Sequence, residues 1–119
     1  MKILIVENEP ANLDVLTLVM EMEGFEVIPL CSAESFIPSA IAIEPDVVLL
    51  DIDLDGFDGR ELCRELKETD GIQDTPVIIV SALSDEKVQS SLAYGADVAI
   101  SKPFDLVDLV GQIRNVVGK

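Results

Sequence analysis

Asp46-Val47-Val48-Leu49-Leu50-Asp51-Ile52-Asp53-Leu54-Asp55-Gly56-Phe57-Asp58-Gly59 is an apolar run that ends abruptly in alternating carboxylates. Four apolar residues in succession fit a strand covered on both faces, and the Asp- and Gly-rich segment after them reads as a loop. Asp51 therefore closes a central strand at its carboxyl end. In open α/β sheets that edge is where ligands bind.

Working outward, Ile3-Leu4-Ile5-Val6 and Val77-Ile78-Ile79-Val80 repeat the wholly apolar pattern and read as further central strands. Phe25 to Leu30 includes Glu26 and fits an edge strand, and Val98 to Ser101 is a short fifth strand. Between strands the period changes to that of a helix. Pro10 suits a first helical position with Glu9 before it, and Val15, Leu16, Leu18, Val19 and Met22 form an apolar stripe that Gly24 ends. Pro38 would break a helix begun at Ser32, so the second helix starts at Ser35 as N-cap. A third runs from Asp58 or Gly59 to Glu68 with Leu62, Cys63 and Leu66 inward. Ser84-Asp85-Glu86 opens a fourth, reaching Tyr94, whose apolar face is thin: Val88 and Leu92. Leu106, Leu109, Val110, Ile113 and Val117 mark the fifth. Strand and helix alternate five times, which predicts a doubly wound α/β sandwich with a parallel sheet and right-handed crossovers.

The 119 residues fit one domain, 1–119, with a real core. A formal charge of −15 excludes sequence-independent attraction to nucleic-acid phosphates or anionic lipid, and calls instead for a cation or a basic partner surface. Cys31 and Cys63 have no CxxC spacing and no histidine to join them, so both read as buried free thiols in a reducing compartment. No apolar run reaches membrane-spanning length, and the expected location is the cytoplasm.

With the three most apolar strands as neighbours, Glu7 and Asn8, Asp51, and Ser81 gather at their carboxyl ends, and Lys102 joins from the fifth strand. Crowded acids repel, and a divalent cation relieves them. Magnesium fits because it takes one or two carboxylates and keeps waters for a phosphate. A lysine and a hydroxyl beside it can hold the remaining phosphoryl oxygens.

These residues resemble the receiver domain of two-component response regulators over essentially the whole chain. Val6-Glu7-Asn8-Glu9-Pro10 resembles the acidic-pair loop, and Leu49 to Leu54 with Asp58-Gly59 resembles the phosphoacceptor segment. Val80-Ser81-Ala82 resembles the hydroxyl motif of the fourth strand, and Gly95-Ala96-Asp97 followed by Lys102-Pro103-Phe104 the closing signature. The resemblance implies a flavodoxin-like sheet in order 2-1-3-4-5. It further implies that Asp51 takes a phosphoryl group from a sensor histidine kinase or histidine phosphotransfer protein. Glu7, Asn8, Asp51 and the backbone carbonyl of Asp53 would hold Mg2+, while Ser81 and Lys102 would hold the phosphoryl group. The Lys102-Pro103 bond would be cis. Output would be binding to a downstream effector protein, without direct nucleic-acid or membrane contact. The family also dimerises through helix four, strand five and helix five.

Departures from the family pattern are informative. Asn8 stands where a carboxylate is usual, which predicts weaker magnesium binding, with Glu9 as an accessory acid. Ala99 replaces the aromatic switch residue of many receivers, and Asp55 replaces a frequent proline, which should slacken the loop. Tyr94 reads as a partly buried helix residue without a role. Rival readings are a degenerate receiver that docks partners without phosphotransfer, and a haloacid-dehalogenase-like phosphohydrolase using Asp51 and Asp53. An EF-hand fits only the start of the loop, because its bidentate Glu would fall at Leu62. The reading is a binding switch and not an enzyme.

Overall fold

The computed structural model of the protein describes residues 1–118. Strands β1 (Lys2–Val6), β2 (Glu26–Leu30), β3 (Val47–Leu50), β4 (Val77–Ser81) and β5 (Val98–Ser101) form one parallel sheet in the order β2-β1-β3-β4-β5. Helices α1 (Pro10–Met22), α2 (Phe36–Ile43), α3 (Gly59–Lys67), α4 (Asp85–Ser90) and α5 (Leu106–Val117) make the crossovers. Successive strand residues point to opposite faces, and each face has its own core. Leu4, Val6, Val48, Leu50 and Ile79 pack with Phe36, Leu62 and Leu66 on one side. Ile3, Ile5, Val47, Leu49 and Ile78 pack with Leu16, Met20, Leu109 and Ile113 on the other. Every residue of β3 is buried, as its unbroken apolar sequence requires. Each such side chain contributes roughly 1.5–3 kcal/mol of burial free energy. β2 is an edge strand, and Pro29 within it removes a donor from the exposed ladder.

Several local expectations are corrected. In α1 the buried residues are Leu13, Leu16 and Met20, while Val15, Leu18 and Met22 are 55%, 59% and 76% exposed. Apolar residues lie on both sides of this helix, so periodicity alone cannot choose the inward face; packing against the sheet does. Cys31 is exposed, because it lies beyond the end of the edge strand, whereas Cys63 is buried as expected. Burial pushes the Cys63 thiol up to about 11, which leaves it unreactive. α4 ends at Ser90 and continues as a tighter 3-10 turn, Ser91–Tyr94, with Val88 buried and Leu92 48% exposed. On α5, Leu109 and Ile113 are buried but Leu106 is 39% exposed.

After β3 the chain folds into a small hairpin, Asp53–Leu54 against Phe57–Asp58. Asp55 and Gly56 form its turn with φ of +48° and +94°, the signs a type I′ turn needs. Proline could not adopt that angle, so Asp55 closes a tight turn here and does not slacken the loop. The hairpin returns the chain to Gly59, whose N–H donates to the Ile52 carbonyl at 2.7 Å. A β-carbon on Gly59 would lie 1.8 Å from the Asp51 carbonyl oxygen, so the start of α3 rests directly on the backbone of Asp51. Gly59→Ala is expected to lower the denaturant midpoint by an amount worth about 3 kcal/mol or more, since backbone must shift to admit the methyl group. A variant as stable as the parent would show that this approach is relieved cheaply.

Candidate functional site

In the parallel register Val6 lies beside Leu50, so the next residues, Glu7 and Asp51, emerge side by side at the carboxyl ends of β1 and β3. Both are nearly buried, at 3% and 8% exposed. The Asp51 N–H donates to the Val6 carbonyl at 3.2 Å and continues the ladder. Ser81, 1% exposed, ends β4, and the Lys102 N–H donates to the Ser81 carbonyl at 2.8 Å just beyond β5. The Lys102 side chain then crosses the end of β4, and its Nζ donates to Glu7 Oε2 and to Asp51 Oδ2, each at 3.1 Å.

The other oxygens of the two acids are also held. Asp51 Oδ1 accepts from the Ile52 N–H at 2.7 Å and from the Asp53 N–H at 3.4 Å. Glu7 Oε1 accepts from the Glu9 N–H at 3.1 Å. Burial raises the Glu7 carboxyl above its ordinary range and the neighbouring Asp51 carboxylate raises it further, against an opposing pull from Lys102. For Lys102, burial pulls down, but the carboxylates of Asp51 and Glu7 prevail and the ammonium is held charged above its ordinary range.

These groups line an open cleft of about 350 Å³ together with Asn8, Glu9, Asn12, Asp53, Ala82 and Leu83. Of the residues singled out from sequence, Glu7, Asn8, Asp51, Ser81 and Lys102 thus come together, with Glu9 and Asp53 exposed at the rim. Ala99 does not join them; it lies on β5, where its carbonyl accepts from Gln89 Nε2 at 3.2 Å. Asn12 was missed by the sequence reading. Its signal was Pro10 at the helix start, which puts residue 12 in the first turn above the loop. The Lys102-Pro103 bond is cis.

The donor set is all hard oxygen, with two nearly buried carboxylates beside an open cleft, and it fits a magnesium ion that keeps several waters. Among the described residues, no group of three or more His, Cys, Asp or Glu side chains is arranged to cage a metal. The calcium-loop reading fails because the segment before Asp51 is a strand and the loop after it a hairpin.

Comparison with known proteins places this arrangement. The family model described as the response regulator receiver domain matches residues 3–114. The chain belongs to that family. The response regulator ArlR of Staphylococcus saprophyticus is 38% identical over 115 residues, covering 95% of this chain and 50% of the relative. The receiver domain thus spans about half the length of the curated relatives it matches. The BeF3-activated N-terminal receiver domain of Klebsiella pneumoniae RstA superposes with a TM-score of 0.90 at 28% identity, covering 100% of both chains. A sensor histidine kinase receiver domain of Pseudomonas aeruginosa PAO1, solved with magnesium coordinated in its active-site cleft, gives 0.89 at 25% identity, covering 99% of this chain and 98% of that one. The strand order is the flavodoxin-like order the resemblance implied, and the hydrolase reading finds no support in these relatives.

Glu7 offers a direct test of the site's electrostatics. Its folded value lies above the ordinary 4.5, so its contribution to stability is complete below about pH 4.5 and is lost as pH rises through the raised value. Glu7→Gln mimics the protonated form, and its amide oxygen can still accept from Lys102. In chelator-treated buffer the variant is expected to melt above wild type at about pH 7, with the gain vanishing near pH 4. A lower melting point at neutral pH would contradict this.

Proposed function

We propose that Asp51 is the phosphoacceptor of this receiver domain and that its phosphorylation switches the binding of a downstream effector. The observation that carries the reading is the single Lys102 ammonium shared by the nearly buried carboxylates of Glu7 and Asp51. One positive charge against two negative ones leaves room for a further cation. The chain contains no histidine, so the donor imidazole comes from a sensor histidine kinase or histidine phosphotransfer protein.

In the reaction a carboxylate oxygen of Asp51 attacks phosphorus as the phosphorus–nitrogen bond breaks. The electron pair leaves with the imidazole nitrogen, which takes a proton from solvent. Backbone N–H donors hold Asp51 Oδ1, which directs the attack to Oδ2. Lys102 then pairs with the incoming phosphoryl oxygens, and the Ser81 hydroxyl can donate to another. Glu7, Asn8, Asp51 and the Asp53 carbonyl would hold Mg2+, which when bound neutralises charge on the phosphoryl oxygens. Asn8 brings a neutral amide to that set and weakens it; Glu9 lies near enough to serve as an outer acid.

A groove lined by Asn12, Val15, Leu16, Lys102, Pro103 and Leu106 opens beside the cleft and shares Lys102 with it. Beyond Val15, the exposed Leu18 and Met22 follow at three- and four-residue steps along the same face of α1, which suits the protein surface that must approach to deliver a phosphohistidine. Among the described residues no helix is long and apolar enough to cross a membrane.

Incubation with Mg2+ and acetyl phosphate, followed by intact mass, should give a phosphoryl adduct on wild type and none on Asp51→Ala. An adduct on both, or on neither, would sink the assignment. Titration calorimetry of Asn8→Asp should show Mg2+ bound on the order of tenfold more tightly, from one added charge at contact distance. Equal affinity would dismiss the role given to Asn8.

A further inference from the structure

The loop that follows Asp51 is fastened to the far end of α4 by one side chain. Arg60, in the first turn of α3, grips Asp58 with Nε to Oδ1 at 3.1 Å and Nη2 to Oδ2 at 2.8 Å, while its backbone N–H donates to Oδ1 at 2.8 Å. The same guanidinium donates through Nη1 to Ser90 Oγ, the last residue of α4, at 3.1 Å. Its Cζ lies 5.4 Å from the ring centroid of Tyr94, and that of Arg64 lies 4.4 Å away, so the ring at the end of the 3-10 turn is flanked by two cations of α3.

Asp58 is paired in the hairpin with Asp53. A force on Asp53 therefore reaches Asp58, then Arg60, then Ser90 and Tyr94, through a planar fork that has little slack. The receiving end is built to move. α4 has six residues and one buried side chain, Val88, and the fully buried hydroxyl of Ser91 has no hydrogen-bond partner among the described residues. A buried hydroxyl without a partner is a point of local strain in the packing beside that helix. The Asp58–Arg60 grip also draws the Asp58 carboxyl below its ordinary range, chiefly through the hydrogen bond from Arg60.

The geometry points to Arg60 as a positioning residue that fixes the hairpin carrying Asp53 and reports the state of the Asp51 site to Ser90 and Tyr94. Arg60 has this role only if Asp51 is the phosphoacceptor. The coupling is reciprocal: a partner that captures the 3-10 turn changes the cleft's affinity for its cation by the same factor.

The test follows the backbone amides of the isotope-labelled 119-residue chain by NMR as Mg2+ and beryllofluoride, a phosphoryl stand-in, are added. In wild type the amides of Asp51 to Asp53 and those of Ser90 to Tyr94 both shift. In Arg60→Met the first group still shifts, the second loses most of its response, and calorimetry shows Mg2+ bound about tenfold more weakly. Tyr94→Leu also loses the distant response, whereas Tyr94→Phe keeps the ring and keeps the response. This second pair decides the matter if Arg60→Met does not fold. A full distant response in Arg60→Met or Tyr94→Leu overturns the role of Arg60, as does a silent 3-10 turn in wild type whose Asp51 amides shift. If the Asp51 amides themselves stay silent in wild type, the phosphoacceptor assignment falls, and this role with it.

Discussion

The Lys102 ammonium between Glu7 and Asp51 is the interaction on which the site depends. Adjacent parallel strands deliver the two acids side by side, and each is too buried for water to screen the repulsion. Buried ion pairs seldom stabilise a fold, because desolvation consumes the Coulomb gain. Here the pairing is better read as a working arrangement: one ammonium holds two carboxyl groups close together at the edge of the cleft. Lysine suits the proposed transfer better than arginine, since a compact charge on a four-carbon stem could shift between oxygens if a phosphoryl group arrived. Arginine's rigid fork would commit to one geometry.

That arrangement constrains the surrounding chain closely. Gly59 must lack a β-carbon so that α3 can start on the Asp51 carbonyl, and Asp58 must precede it to cap the helix by accepting from the Arg60 N–H. Asp55 and Gly56 must take positive φ so that the hairpin can return the chain within two residues. The stretch from Asp51 to Arg60 is therefore one unit in which acid, turn, cap and clamp follow from one another. Asp55 belongs to it as a turn residue, without any part in the chemistry.

The sequence made the frame legible because its central strands are unbroken apolar runs, and burial on both faces is the one environment that demands them. The strand-end residues Glu7, Asp51, Ser81 and Lys102 were legible for the same reason: once the strands are fixed, the next residue is at the edge. Faces of helices were harder. In α1 the apolar residues are too many for a stripe to choose its side, and Val15, Leu18 and Met22 are left on the surface. Cys31 was misplaced because edge-strand ends are open to solvent. The Arg60–Tyr94 contact was invisible because it joins residues 34 positions apart through a tight 3-10 turn, and nothing in local pattern announces either the turn or the stacking.

The distribution of satisfied and unsatisfied groups separates the molecule into two parts. β1, β3 and β4 are buried along nearly their whole length, and their two cores hold the strand ends where Glu7 and Asp51 must meet. Groups at odds with their surroundings lie at the borders of this frame: a carboxyl raised by burial at Glu7 in the cleft, and buried hydroxyls without a partner among the described residues at Thr17 of α1 and at Ser91, next to the end of α4. The Asp58–Arg60 contact spans two of these borders, since its hairpin carries Asp53 at the rim of the cleft and its guanidinium reaches Ser90, beside Ser91, so a rearrangement at one end would be felt at the other. The rigid sheet supplies the fixed frame against which that motion is measured.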